Sequence, residues 1–329
     1  HNFYVKSNDH EVLLLDPGSH AEKVAVATIT FTKETDRDDW NVQYSGELKD
    51  MTSYQPDSAF MEKFRKAFRK VKEYVSRPVG EFTDSVCSKY DLFANGPFVD
   101  IIHQVQLMKT GADVSFAAPL SFDAVIPEGV IYVRDMFKLY RFENLLYTMY
   151  LSGKEIDDYL EYTCAGWFNH MKGPDDHLLN FQKDSSGNIK KADEGYYLLE
   201  YNYYNFSSAE GINYTVDVSK PANERVEITG FTDGRPFEME KKYKVALNSY
   251  RGNGGGGHLT RGAGIKKSEL KERVLYSSEK DLRFIMMNWI EDQGKVQPEM
   301  KGNWKIIPHA WWKAGMEKDM QLLFSGNEK

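Results

Sequence analysis

The chain has 329 residues, of which 41% are hydrophobic and 28% are charged, and its net charge is −7 at neutral pH. This composition is typical of a globular protein, and the length allows one large or two ordinary domains. The acidic balance and the lack of a dense basic stripe argue against a partner that is a nucleic-acid polymer. No apolar run approaches the length of a membrane span, and Cys87 and Cys164 alone cannot form a disulfide framework.

The first part of the chain predicts strands. Period-two alternation of apolar residues covers three short segments, at 12–15, 23–31 and 40–44. Three strands with one apolar face bury too little surface to form an independent domain. We therefore expect residues 1–56 to be the terminal part of a domain whose bulk lies upstream, and the chain, which begins at His1, to be processed or a piece of a longer protein.

A helix is predicted next, over residues 57–76. Asp57 or Ser58 can cap its N-terminus and Pro78 stops it, while apolar residues recur at helical spacing between them. We assign residues 57–85 to a connecting helix that packs on one neighbour. A membrane-surface helix is the weaker alternative, because Glu62 and Glu73 interrupt the basic face.

From about residue 86 the pattern mixes helices and strands. Gly111 can end the first helix, and Ser152 with Glu155 forms a capping box that opens the second. Segment 170–195 is polar and is expected to be an exposed, irregular insertion. The predicted helices lie at 97–109, at 153–168 and from Ser278 onward, and the predicted strands lie at 112–117, 144–151, 196–203, 212–218, 226–231 and 243–250.

The glycine-rich run after residue 243 is the most informative stretch. An alternating strand ends at the aromatic residue Tyr250, and five glycines follow within six positions, at 252 and 254–257. Glycines are kept where backbone turns sharply or approaches another group closely. An aromatic ring beside such a loop suits a flat ligand, and a mobile surface turn is the alternative. The spacing also fits a dinucleotide fingerprint, which we reject because no helix pattern follows.

Metal-binding patterns are weak. The eight histidines show no metal-ligand spacing. Asp175, Asp176 and His177 form a possible ligand cluster, but in a polar loop a solvated role is favoured. His103 lies beside apolar neighbours on a predicted helix, which favours a hydrogen-bonded structural role. Phe142, which sits where a helical turn precedes a strand, becomes relevant to binding only if the fold brings it face to face with Tyr250.

Seven blocks then occur in a specific order. They are residues 97–106 (PFVDIIHQVQ), 111–119 (GADVSFAAP), 126–129 (IPEG), 133–144 (VRDMFKLYRFEN), 151–153 (LSG), 204–217 (YNFSSAEGINYTVD) and 248–257 (NSYRGNGGGG). This order resembles the C-terminal domain of the 5′-nucleotidase family. It is most similar to the branch of bifunctional 2′,3′-cyclic-nucleotide 2′-phosphodiesterase/3′-nucleotidases.

The resemblance implies an α+β, mixed-sheet nucleotide- or nucleoside-binding domain over residues 86–329. It is preceded by the connecting helix and by the last strands of a truncated metallophosphoesterase domain. Two divalent ions of the Mn, Zn or Co type are expected in the missing N-terminal domain, with His1 as a possible remnant of a Gly-His-x-His metal motif. This chain would hold no metal and no catalytic residue, and we expect it to be inactive alone.

The resemblance also implies a ligand and a set of ligand contacts. Phe142 and Tyr250 would hold a nucleobase between two rings. The ligand would be a nucleotide or nucleoside, with no membrane insertion and a periplasmic or cell-surface location. The remaining substrate-binding residues would be Ala117, Ala118, Pro119, Asn144, Asn248, Gly252, Gly254, Gly255, Gly256 and Gly257.

Two departures from the family pattern weaken a plain 5′-nucleotidase assignment. The 5′-nucleotidase branch carries Asn-Gly-Gly-Gly-Ile-Arg where this chain has residues 116–122, and an acidic residue where Gly256 stands. Both departures are typical of the cyclic-phosphodiesterase branch. Two alternatives remain open: a non-catalytic module for another flat or sugar-like ligand, and a purely structural domain if Phe142 and Tyr250 are buried apart.

Overall fold

The chain divides into two units inside its first helix, between Val71 and Lys72. The computed structural model describes residues 2–7, 10–33, 40–192 and 195–325. The first unit contains two antiparallel hairpins, β1 with β2 and β3 with β4, followed by helix α1. Their bounds are β1 Asn2–Ser7, β2 His10–Leu15, β3 Lys23–Lys33, β4 Trp40–Asp50 and α1 Ser58–Val75.

The described residues of the first unit form no buried core. None of its side chains whose burial is described is buried. Helix α1 begins as predicted, because the Phe60 N–H donates to the Asp57 carboxylate at 2.7 Å. No residue of the helix is buried within this chain and Phe68 is 63% exposed, so the packing of α1 on a neighbour stays a prediction. The helix ends at Val75, close to the predicted residue 76, and the rest of the assigned connection, 57–85, contains a strand that begins at Pro78.

The second unit contains the remaining elements. Its helices are α2 Ser88–Asp91, α3 Pro97–Thr110, α4 Val133–Leu139, α5 Gly153–Trp167, α6 Ser249–Gly252, α7 Leu282–Gln293 and α8 His309–Phe324. Its strands are β5 Pro78–Phe82, β6 Val86–Cys87, β7 Val114–Ala117, β8 Val125–Ile126, β9 Gly129–Tyr132, β10 Leu145–Ser152, β11 Ser208–Glu210, β12 Ile212–Asp217, β13 Val226–Phe231, β14 Lys242–Asn248, β15 Val274–Asp281, β16 Lys295–Val296 and β17 Trp304–Ile307.

A mixed five-stranded sheet is the centre of this unit. Its strand order is β11-β7-β14-β10-β15, in which β7 and β14 are parallel and the other pairs are antiparallel. Three smaller sheets flank it, with the orders β13-β12-β17, β16-β5-β9 and β6-β8. The predicted α+β class with a mixed sheet is therefore confirmed.

Hydrophobic cores cover both faces of the central sheet. Along β14, Val245 and Leu247 belong to the core that contains α5, whereas Ala246 belongs to the core that contains α3, α4 and α7. This division follows from the alternation of side chains along a strand. The predicted capping box is also confirmed, because Glu155 N donates to Ser152 Oγ at 3.1 Å and Ser152 N donates to Glu155 Oε2 at 2.8 Å.

Three local predictions are wrong. Residues 196–203 form no regular strand, although isolated β-bridges pair Tyr197 with Lys191 and Leu199 with Phe181. The described part of segment 170–195 is irregular as expected but not wholly exposed, because Leu178, Leu179 and Phe181 enter the core. The helix expected from Ser278 begins at Leu282.

A buried polar group lies beside strand β11. His103 contacts Ser115 Oγ at 2.9 Å and Ser208 Oγ at 3.1 Å, which confirms its hydrogen-bonded role, and burial lowers its pKa to about 3. Burial and the charge of Asp100 raise the pKa of Glu210 to about 7, and burial raises the pKa of Asp100 to about 6.

Glu210 makes stability depend on pH. A carboxyl group with a raised pKa binds its proton more tightly in the folded state, so its contribution to the free energy of unfolding decreases as pH rises from about 4.5 to about 7. Glu210→Gln removes this titration. We expect the variant to exceed the parent in unfolding free energy at pH 8 by up to about 3 kcal/mol, with a much smaller difference at pH 4. Urea unfolding at the two pH values measures this, with exposed Glu227→Gln as control; equal differences at both pH values would contradict it.

Candidate functional site

Antiparallel pairing of β10 with β14 brings two aromatic residues that are distant in sequence to the same end of these neighbouring strands. Leu146, near the start of β10, pairs with Asn248, the last residue of β14. Phe142 precedes β10 and Tyr250 follows β14, so both residues lie at this end of the strand pair although 108 positions separate them. The rings are 41% and 46% exposed.

The two rings line the same cleft. Its volume is about 370 Å³, within the range of about 300–1,000 Å³ that is common for small-molecule sites. The described residues that line the cleft include no carboxylate. They are Leu120, Phe142, Asn144, Tyr204, Asn248, Tyr250 and Arg251. The cleft therefore combines exposed aromatic rings, two amide side chains and one guanidinium.

The Tyr250 ring lies against the backbone of the glycine loop. A Cβ atom on Gly255 would be 2.6 Å from three carbon atoms of the ring, closer than real Cβ atoms approach. A residue without a side chain is therefore required at this position. Tyr250 itself belongs to the turn α6, whose N-cap Asn248 accepts a hydrogen bond from the Arg251 N–H at 2.9 Å.

Arg251 ties the two walls of the cleft together, and the sequence did not predict this role. The side chain is 3% exposed, and its guanidinium carbon lies 5.4 Å from the centroid of the Tyr250 ring. Its nitrogens donate to the Tyr204 carbonyl at 2.7 Å and to the Asn205 side chain and the Gly255 carbonyl at 3.2 Å each. The segment that carries Tyr204 and the loop that supports Tyr250 are thus fixed by one residue.

Tyr204 packs edge-on to Phe142. The two ring centroids are 6.4 Å apart and the ring planes meet at 75°. The sequence signal for Tyr204 and for Arg251 was that each lies in one of the seven ordered blocks, at 204–217 and 248–257. Leu120, which is buried, had no signal beyond its place in the segment 116–122.

Asn144 lies next to the buried residue Tyr140. Its side-chain amide donates to the Tyr140 hydroxyl at 3.4 Å. Burial raises the pKa of Tyr140 to about 12, so this hydroxyl keeps its proton. The Asn144 carbonyl accepts a hydrogen bond from Leu282 at 2.8 Å, which fixes the backbone at this end of β10.

The other predicted contacts lie outside the described lining of the cleft. Ala117, Ala118 and Pro119 are buried. The glycines have roles in packing and backbone geometry, and their contact with a ligand stays a prediction. Gly252 lies against the Tyr147 ring, and Gly256 has a φ of +73° beside the Arg251 guanidinium. The glycines concerned are Gly252, Gly254, Gly255, Gly256 and Gly257.

His258 supports the loop from behind. It is 1% exposed, and its Nε2–H donates to the Asn205 carbonyl at 2.8 Å. Burial holds the pKa of His258 well below its usual range, with a further contribution from Arg251, so the ring is neutral. Asn205 is therefore held by both the Arg251 side chain and the His258 side chain.

No group of three or more metal-ligating side chains occurs in the part of the chain that the structure describes. Asp176 accepts from the Lys172 N–H at 2.6 Å, and His177 contacts the buried Asp319 carboxylate. The sequence favoured a solvated role for this cluster, but Asp176 and His177 are held by contacts with other residues. His1, the expected remnant of a metal motif, lies outside the described residues.

The family model of the 5′-nucleotidase C-terminal domain matches residues 78–261. The chain belongs to this family. The matched region contains every described residue that lines the cleft. The resemblance to this family that the sequence indicated is therefore confirmed.

Two solved structures share the fold. A Staphylococcus aureus protein described as a 5′-nucleotidase has a TM-score of 0.68 at 16% identity, covering 92% of this chain and 54% of its own. A 5′-nucleotidase precursor of Thermus thermophilus has a TM-score of 0.55 at 20% identity, covering 94% and 54%.

Curated relatives match the same region. The trifunctional nucleotide phosphoesterase protein YfkN of Bacillus subtilis is 27% identical over 271 residues, which are 72% of this chain and 17% of that protein. The 2′,3′-cyclic-nucleotide 2′-phosphodiesterase/3′-nucleotidase of Salmonella typhimurium is 26% identical over 278 residues, 72% of this chain and 38% of that protein. The chain thus spans well under half the length of these relatives. Among the helices of the described residues, none has the length and apolar character needed to cross a membrane.

Proposed function

We propose that residues 86–329 recognise the nucleobase of a nucleotide or nucleoside, as the substrate-binding part of a metal-dependent phosphoesterase. The whole enzyme would hydrolyse 2′,3′-cyclic nucleotides and 3′- or 5′-nucleotides. One observation carries the proposal: Phe142 and Tyr250 line a single cleft although they are far apart in the sequence. The functions printed for the curated relatives support the same substrate class.

The residues of the cleft suit this ligand. A base stacked on an aromatic ring gains about 1–3 kcal/mol whatever its identity, because every base has a π face. Asn144 and Asn248 offer amide groups at the edge of the cleft, where they can discriminate between bases. The described lining contains no carboxylate that would repel an anionic ligand.

The phosphate chemistry belongs to another domain in this proposal. The described residues offer no metal cluster, so we place the two divalent ions on a metallophosphoesterase domain, with residues 1–56 as its last strands and residues 57–85 as the connection. The unburied side chains of the first unit support this division. Binding of the base would then position the phosphate for reaction, since remote binding energy serves to orient the reacting group. A periplasmic or cell-surface location is part of the same proposal.

Titration with adenosine and 3′-AMP tests the proposal. We expect saturable binding, and in Phe142→Ala and Tyr250→Ala a loss of about fivefold to 100-fold each, the equivalent of one stacking face. Measurement by NMR of the base resonances avoids reliance on protein fluorescence. Added Mn²⁺, Zn²⁺ or Co²⁺ should give no phosphoester hydrolysis by this chain.

Two exposed aromatic residues outside the cleft serve as matched controls. Phe137 is 44% exposed and Tyr276 is 41% exposed, close to the values for the two cleft rings. Phe137→Ala and Tyr276→Ala should leave the affinity for adenosine unchanged. Equal affinity in the cleft variants would contradict the base sandwich. Binding of oligosaccharides in preference to nucleosides would favour the alternative, a module for a sugar-like ligand.

A further inference from the structure

A second and larger groove lies beside the cleft. Its volume is about 1,170 Å³, and one part of its wall is a row of tyrosines. Tyr196 is 58% exposed and Tyr201 is 46% exposed, whereas Tyr197 and Tyr203 are half-buried. Exposed tyrosine rings in a concave surface provide stacking faces for flat groups. The groove therefore has the same kind of lining as the cleft.

Neighbouring rings connect the lining of the groove to the lining of the cleft. Tyr203 lines the groove and Tyr204 lines the cleft, with their ring centroids 5.4 Å apart. On the groove side, the ring of Phe122 lies 5.4 Å from Tyr203 and 5.0 Å from Phe324. Counting Phe142, which packs on Tyr204 in the cleft, an unbroken row of five rings runs from one site into the other.

The cationic side chain of Arg141 lies between a ring of the groove and a ring of the cleft. Arg141 is exposed, its Nη1 donates to the Tyr203 hydroxyl at 3.3 Å, and its guanidinium carbon lies 5.8 Å from the centroid of the Phe142 ring. In the part of the chain that the structure describes, no carboxylate pairs with this guanidinium. Its remaining donors are free to bind an oxyanion between the two aromatic sites.

The described lining of the groove is basic, whereas the whole chain is acidic. The protein has a net charge of −7, yet the described residues of the groove wall include two lysines and no acidic side chain. Lys191 Nζ lies 4.4 Å from the centroid of the Tyr197 ring, and Lys318 Nζ donates to the Asp175 carbonyl. A short anionic ligand with flat groups matches this surface, and it does not need the long basic track of a polymer-binding protein.

We propose that the groove is a second nucleotide subsite, and that the ligand is a dinucleotide whose inner phosphodiester binds Arg141. This inference rests on the proposed function. One base occupies the cleft between Phe142 and Tyr250, and the second base stacks on the tyrosines of the groove. The 2′- or 3′-phosphate to be hydrolysed must reach the other domain, so the second nucleotide extends from the 5′ side of the first.

Calorimetric titration of the full chain with two ligands tests this inference. They are adenosine 3′-monophosphate and the same nucleotide extended on its 5′ side, adenylyl-(3′→5′)-adenosine 3′-monophosphate. We expect the dinucleotide to bind roughly fivefold to 100-fold more tightly, the gain from one added stacked base. Tyr196→Ser should remove most of this gain and leave mononucleotide affinity unchanged. Arg141→Gln should remove part of it and flatten the salt dependence of dinucleotide binding.

Matched controls are Tyr54→Ser, at a tyrosine 58% exposed, and Arg134→Gln, at an exposed arginine that lies 4.2 Å from the Tyr132 ring centroid. Both should retain the full preference for the dinucleotide. Equal affinity for the two ligands would overturn the second subsite while leaving the proposed function intact. If neither ligand binds, the proposed function itself fails. A groove that instead binds cellotriose, with loss of that binding in Tyr196→Ser, would also overturn the inference.

Discussion

Arg251→Met is expected to abolish measurable nucleoside binding and to lower the free energy of unfolding by about 3–5 kcal/mol. The buried guanidinium satisfies the Tyr204 carbonyl, the Asn205 side chain and the Gly255 carbonyl, and methionine donates to none of them. Each buried acceptor left without a donor costs about 1–3 kcal/mol, partly relieved where water enters. Because these acceptors belong to both walls of the cleft, their release also separates Tyr204 from the support of Tyr250.

Denaturant unfolding and nucleoside titration measure the two effects of this substitution. Arg261→Met is the matched control, since Arg261 is an exposed arginine of the same loop whose Nη2 reaches the Gly256 carbonyl at 3.4 Å. It should lower stability by less than about 1 kcal/mol. An Arg251→Met protein that unfolds and binds like the parent would show that the guanidinium does not hold the cleft together.

Gly255→Ala should reduce nucleoside affinity by about tenfold or more, the loss expected when one stacking face is displaced. The added Cβ would lie 2.6 Å from three carbon atoms of the Tyr250 ring, so the ring must move. Overpacking of this kind typically lowers the free energy of unfolding by about 1–3 kcal/mol. Titration with adenosine and a urea melt give the two values.

Gly173→Ala provides the control, because no heavy atom lies within 4 Å of the position that its Cβ would take. That variant should match the parent in affinity and stability. A fall in stability without any fall in affinity for Gly255→Ala would mean that the Tyr250 ring does not contact the base.

Local signals in the sequence predicted much of the second unit. Ser152 and Glu155 marked the start of α5, and Gly111, with φ of +57°, ends α3 as expected. These features depend on neighbouring residues alone, which explains why the sequence suffices. Strand β14 was predicted at 243–250 and ends two residues earlier, because Asn248 caps the turn α6 through its side chain.

Elements that depend on distant contacts were missed. Ser278 looked like the start of a helix, but it lies in β15, where its hydroxyl accepts a hydrogen bond from Leu146 at 2.8 Å. The true N-cap is Asp281, which accepts from the Phe284 N–H at 3.1 Å. Helix α8 had no clear apolar stripe in the sequence, because its apolar residues are spread around the helix. Leu199 lacks a regular strand partner and pairs with Phe181 through an isolated bridge.

The candidate site could be proposed from family resemblance but not from spacing. Nothing local in the sequence indicates that β10 pairs with β14, and that pairing is what brings Phe142 and Tyr250 together. The roles of Arg251 and Gly255 follow only from three-dimensional contacts. The glycine loop was expected to flank the ligand, and its contact with the Tyr250 ring is a further role that the sequence did not indicate.

The two asparagines at the cleft differ in how freely evolution can alter them. Asn248 is needed where it is, because its side chain caps the turn that carries Tyr250. Asn144, whose side chain has only the long 3.4 Å contact with Tyr140 among its described hydrogen bonds, carries no comparable duty. Substitution at position 144 should therefore disturb the fold less than substitution at position 248.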